Sequence, residues 1–177
     1  MADLLILDVE EFAQLHPALN GPLLVEPARV ALAAYHASPA SFQVHRADDA
    51  ALPGAVRFGQ PHPLSAETLE REDFVEKGAV VLAGLLLARF EGKQITRVVR
   101  RGAKVDYFVG EQPGDYRWIL EVSGRDAESF ASRRLEKREQ LRKSLYHRPP
   151  HSKDGFVSVT RFAPVAATAL DSIQGLR

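Results

Sequence analysis

Residues 104–124 read KVDYFVGEQPGDYRWILEVSG. Two short apolar runs, Val105–Val109 and Trp118–Val122, flank EQPGDY, and the Pro113-Gly114 pair supplies turn chemistry, so the stretch predicts a β-hairpin. Each strand carries one carboxylate where a packed strand disfavours it, Asp106 in the first and Glu121 in the second. Folding the stretch about Pro113-Gly114 sets Asp106 opposite residues near 121, which makes the two acids neighbours.

The flanking sequence extends this hairpin into a layered domain. Upstream, SAETLEREDFVEKGAVVLAGLLLARFEGKQ opens with Ser65 as an N-cap and acids in the early turns. It continues as a long apolar helix over Glu72–Phe90 that ends near Gly92. ITRVVRRG then predicts a strand, Val98–Arg101, ahead of Lys104–Val109 and Trp118–Val122. Downstream come a basic helix over Asp126–Leu145, a loop, a strand over Phe156–Phe162, and a short C-terminal helix or coil. The core order α-β-β-β-α-β predicts an α+β or α/β fold, a mixed central sheet flanked by helices over 66–177. Residues 1–65, broken by seven prolines, read as an N-terminal elaboration. It holds short helices at Asp8–Leu15 and Glu26–His36 and short strands at Ser41–His45 and Ala55–Phe58.

Composition narrows the function. No run of 18 apolar residues is present, so no membrane span is expected. The acidic start MADLLILDVEEF lacks the positive charge of a signal peptide, and the absence of cysteine excludes disulfides and thiolate metal sites; both fit the cytoplasm. The net charge of zero hides an asymmetry. Residues 1–96 hold seven Lys and Arg against thirteen Asp and Glu, whereas residues 97–153 hold fourteen against eight. A basic segment of this kind attracts polyanions, unless the two regions neutralise each other in the fold.

Two carboxylates side by side on rigid strands, about 4.8 Å apart between backbones, suit a hard divalent cation. Such a cation lowers the pKa of a bound water and neutralises charge developing on a phosphodiester. The alternative is that both acids point outward on half-exposed strands. Two lysines lie near these acids, Lys104, two residues before Asp106 on the same strand face, and Lys137 on the basic helix. Arg133, Lys137 and Gln140 share one face of that helix. Either that face approaches the phosphate, or the helix is a solvated charge run with Leu135, Leu141 and Leu145 packed inward.

The order helix, strand Asp, hairpin, Glu-x-Ser and basic helix resembles the PD-(D/E)XK nuclease superfamily, and a bacterial group within it, over about residues 70–163. The resemblance implies that Glu76, Asp106 and Glu121 bind Mg²⁺ or Mn²⁺, with Asp106, Glu121 and Lys137 or Lys104 as the catalytic set. Arg133, Lys137 and Gln140 would then contact nucleic acid, DNA being the expected substrate. Ser123 departs from the pattern, because it stands where the motif has lysine. Two functions follow. One is a metal-dependent nuclease of a bacterial defence or DNA-processing system. The other is a silent nuclease-fold subunit that binds nucleic acid or a protein partner in a larger assembly.

Other signals are weaker. HRPPHS, with His147 and His151 four apart, reads as a flexible basic loop, since its two prolines forbid the helix that would align a metal pair. Trp118 and Tyr107 are of the type that stacks on bases, but in short strands such residues serve as core or cross-strand pairs.

Overall fold

The computed structural model describes residues 4–47, 49–127 and 129–176. The N-terminal part holds β1 (Leu5–Asp8), a 3₁₀ turn (Val9–Glu11) running into α1 (Phe12–Leu15), α2 (Pro22–Ala33), β2 (Ala40–Arg46), β3 (Leu52–Arg57) and α3 (Pro63–Thr68). There follow α4 (Arg71–Glu91), β4 (Gln94–Val98), β5 (Tyr107–Gly110), β6 (Trp118–Arg125), α5 (Phe130–Arg142), β7 (Gly155–Arg161) and β8 (Ala167–Ile173). All eight strands join one mixed sheet in the order β1-β3-β2-β8-β7-β6-β5-β4. The architecture is therefore α+β with a mixed sheet, as the sequence predicts. Among the described residues no helix is long and apolar enough to cross a membrane.

Helix α4 organises the larger core. Glu72 and Asp73 sit in its first turn, where the helix dipole favours acids, and Gly92 ends it in the left-handed conformation. Its middle, from Gly78 to Leu87, is buried all round, because the helix packs on α2 as well as on the sheet. Ser65 is not its cap. It lies inside α3, which Pro63 starts and the His62 side chain caps.

Helices α4 and α5 cover opposite faces of the sheet, and β6 shows this residue by residue. Leu120 and Val122 belong to the core that α4 builds, while Ile119 joins a smaller core with Leu141 of α5. By the two-residue period of a strand, Glu121 and Ser123 fall on the α5 side. At Gly124 a methyl group would run into the carbonyl oxygen of Val75, so only glycine lets α4 lie this close to β6 and bring Glu76 to the end of the strand.

Several predicted boundaries are corrected. The strand in ITRVVRRG ends at Val98 instead of spanning Val98–Arg101, because a bulge between Ile95 and Arg97 shifts the pairing and Arg101-Gly102 turns. Strand β5 begins at Tyr107, not at Lys104, and α5 runs over Phe130–Arg142, not Asp126–Leu145. Residues 167–173 form β8, not a helix or coil. This strand lies between β7 and β2, and so carries the three strands of residues 5–57 into the same sheet.

Candidate active site

The turn at Gln112–Asp115 sets the geometry. Asp115 N–H donates to Gln112 C=O at 3.1 Å, Pro113 takes the second position, and Gly114 has φ of 85°, the requirement of a type II turn. Asp115 then accepts from Glu111 N–H and from Arg117, which locks the hairpin. The resulting register pairs Tyr107 with Leu120 and ends there, which leaves Asp106 just beyond the ladder with its carboxyl close to that of Glu121.

Asp106 ends the ladder with its side chain. Its backbone N–H donates to Leu120 C=O at 3.0 Å, while its Oδ2 accepts from Val122 N–H at 2.8 Å. Burial raises the Asp106 pKa above the ordinary carboxylate value, and the Val122 N–H and the Lys137 charge offset this in part.

Glu121 is 1% exposed. Its Oε1 accepts from Lys137 Nζ and, at 2.7 Å, from Gln140 Nε2, and Lys137 Nζ also donates to Gln140 Oε1 at 3.1 Å. Its Oε2 is buried without any hydrogen-bond donor. Burial, reinforced by the Asp106 charge, pushes the Glu121 pKa up to about 7 against the opposing pull of Lys137. The open oxygen thus sits in a place suited to a proton or a cation.

The charged face of α5 is the buried one. Arg133 Nε donates to Ser123 Oγ at 2.8 Å and its Nη1 to Glu136 at 2.7 Å, and Lys137 is buried. Leu141 packs inward, but Leu135 and Leu145 are 63% and 60% exposed, against the apolar-face alternative. The acids of β6 and β8 draw the cations to the sheet, and that decides which face is covered.

One cleft of about 580 Å³ is lined by Glu76, Asp106, Glu121, Arg133, Lys137 and Gln140, together with Ser123. Glu76 is exposed on α4. Among the described residues no group of three Asp, Glu or His side chains is placed to hold a metal ion, so the three acids do not close into one cluster. Lys104 is not on a strand face: it is exposed in the β4–β5 turn with φ of 59°, and lines a second cavity with Glu76 and Asp106. The cleft also takes in Arg71 and Arg125. Arg71 pairs with Asp126 and donates to the Tyr35 hydroxyl at 3.2 Å. No sequence signal links α4, β6 and α2 at this point, because their meeting is purely tertiary.

The remaining motifs are structural. The His147 ring is buried and bonds Lys153 C=O through Nδ1 at 3.1 Å, and His151 packs against Tyr146, so HRPPHS is pinned and not a free loop. Trp118 and Tyr107 pack on the larger core, with Lys93 over the Trp118 ring. His16 is buried, and its Nδ1 accepts from Ile95 N–H at 2.9 Å.

His16 and Glu121 have opposite linkage to pH. Burial drops His16 from 6.5 to about 4, so its contribution to stability is complete above pH 6.5 and lost as pH falls toward 4. Glu121 is raised from 4.5 to about 7, so its contribution is complete below pH 4.5 and lost as pH rises through 7.

Comparison with family models, with curated proteins and with solved structures returns no match.

Proposed function

We propose that the protein is a metal-dependent hydrolase of nucleic-acid phosphodiesters of the PD-(D/E)XK type, with its centre at Asp106, Glu121 and Lys137. The observation that carries this is the divided Glu121 carboxylate: Oε1 holds Lys137 and Gln140, while Oε2 is buried beside Asp106 with no donor. Mg²⁺ usually takes only one or two protein carboxylates plus water and substrate phosphate, so Asp106 and Glu121 suit it, with Glu76 acting through water. Bound there, Mg²⁺ or Mn²⁺ supplies an acidified water and neutralises charge on the phosphate.

The chain's own residues do the rest. An ammonium has three donors; Glu121 and Gln140 take two from Lys137, and the third is left for a substrate phosphate oxygen or the attacking water. Gln140 bridges Lys137 and Glu121 and so fixes the orientation of both. Arg133, braced by Ser123 and Glu136, offers a planar guanidinium to phosphate. Helix α5 thereby brings positive charge to the position where Ser123 replaces the motif lysine.

Ser123 itself favours a second reading, a silent subunit that binds nucleic acid or a protein partner. Cleavage of single- and double-stranded DNA and RNA by wild type and Asp106→Asn separates the two. Asn keeps an acceptor for Val122 N–H, so the fold is retained. Wild type should cut only with Mg²⁺ or Mn²⁺, and the variant at least about 100-fold more slowly. Binding without cleavage in wild type would establish the silent subunit, and equal cleavage by both proteins would remove Asp106 from the chemistry.

A further inference from the structure

The proposed centre faces an electrostatic difficulty. Glu72, Glu76, Asp106, Glu121 and Asp126 line the cleft beside Arg71, Arg125, Arg133 and Lys137, so its charges nearly balance and it has little net attraction for a polyanion. Three of its cations are already committed: Arg71 to Asp126, Arg133 to Glu136, Lys137 to Glu121. Arg133 and Lys137 serve the reacting phosphate, so attraction for the flanking phosphates of a backbone calls for further cations.

The turn between β4 and β5 provides them. Arg100, Arg101 and Lys104 are all exposed there, and among the described residues none of them makes a side-chain hydrogen bond or ion pair. The turn is anchored at both ends. Val99 N–H donates to Asp106 C=O at 2.8 Å, and Val99 and Val105 are buried in the smaller core with Ile119 and Leu141. Between these anchors Gly102 and Lys104 adopt left-handed backbone, with φ of 93° and 59°. For lysine that conformation is disfavoured, and it is held here by its surroundings. The three cations line a cavity of about 340 Å³ that shares Glu76, Asp106, Val122 and Gln140 with the larger cleft. A strand reacting at Asp106 would therefore lay its neighbouring phosphates across this turn.

We propose that Arg100, Arg101 and Lys104 form a subsite for the phosphate backbone of a nucleic-acid strand, next to the phosphodiester that reacts. This rests on the reading of the cleft as a phosphodiester centre, but it is measurable without catalysis. The comparison is wild type against Arg100→Gln/Arg101→Gln, with Lys104 left in place because it stands two residues from Asp106. Affinity for a labelled single-stranded oligonucleotide is measured against KCl concentration in EDTA, and cleavage separately with Mn²⁺. A second variant, Arg57→Gln/Arg89→Gln, removes two exposed cations that line neither cavity.

The loop variant should lower the slope of log affinity against log salt by about 1.4, two phosphate contacts at about 0.7 each. Its cleavage should show a raised KM with kcat retained. A wild-type slope in the loop variant would overturn the subsite, and if wild type still cuts, the catalytic reading would stand. An equal fall in the second variant would also overturn it, as a general charge effect. A fall confined to the loop variant, with no cleavage by either protein, would establish the subsite and remove the catalytic reading. No binding by wild type at low salt would remove both.

Discussion

Lys137→Met should lower the single-turnover rate of phosphodiester cleavage by about 10²–10³-fold while leaving affinity for uncut substrate near the wild-type value. Methionine keeps an unbranched apolar stem of similar length, so the packing of α5 on β6 is preserved. What is lost is the charge on Oε1 of Glu121 and the donor left over for substrate. A second effect adds to the first. Without Lys137, only the Gln140 amide is left to offset the burial and the Asp106 charge that already hold Glu121 near 7, so its carboxyl rises further. The residual rate should therefore climb with pH over a range where wild type is level. Breaking a buried ion pair costs about 3–5 kcal/mol when the partner stays charged, but Glu121 escapes most of this below pH 6 by taking a proton. The loss of stability should appear only toward pH 8. If affinity falls in step with the rate, Lys137 is a phosphate contact; if the rate is unchanged, it has no part in the chemistry.

Asp171→Ala should destabilise the fold by about 3–5 kcal/mol, read as a shift of the urea midpoint at constant slope. Asp171 is 0% exposed on β8. It accepts from Arg134 Nε at 3.1 Å and from Arg138 Nε at 3.1 Å, both on α5. Arg134 also donates to Ala47 C=O at 2.7 Å, which extends the tie to the segment after β2. Removing the carboxylate leaves two largely buried guanidinium groups without it. Replacing the whole triad, as Arg134→Met/Arg138→Met/Asp171→Leu, should recover most of the loss, because well-packed apolar residues often equal a buried ion cluster. A small effect of Asp171→Ala would mean that α5 is held mainly by Leu141.

The residues that meet in the cleft were largely legible in the sequence. Pro113-Gly114 fixed the hairpin register, and register placed Asp106 beside Glu121. The spacing of Arg133, Lys137 and Gln140 put them on one helix face, and that face does meet β6. The face of α5 that is buried was less legible, because Leu135, Leu141 and Leu145 look like an apolar stripe until Glu121 and Asp171 are known to lie beneath the arginines and Lys137. Strand β8 was missed for the same reason. An Ala-rich run holding Asp171 does not look like a central strand unless two arginines from another element neutralise that acid. Lys104 was misplaced because a left-handed turn was read as extended strand. Each miss involves a charge or a backbone conformation whose partner lies far away in the chain.

Everything proposed for the cleft depends on the open oxygen of Glu121 facing a cation site shared with Asp106. The measurement that reads this most directly is the stability of wild type minus that of Glu121→Gln between pH 5 and 8, with and without Mn²⁺. His16 is present in both proteins and its own loss of stability in acid cancels. Without metal, wild type should gain on the variant by up to about 3 kcal/mol as pH falls from above 7 toward 4.5, since protonation relieves the buried carboxylate. With Mn²⁺ at about 100 times its dissociation constant, wild type should gain about 2.7 kcal/mol at pH 8, where Glu121 is ionised, and progressively less in acid, while the variant gains little. A difference that is flat with pH and unmoved by Mn²⁺ would contradict the cation site and the chemistry proposed at it.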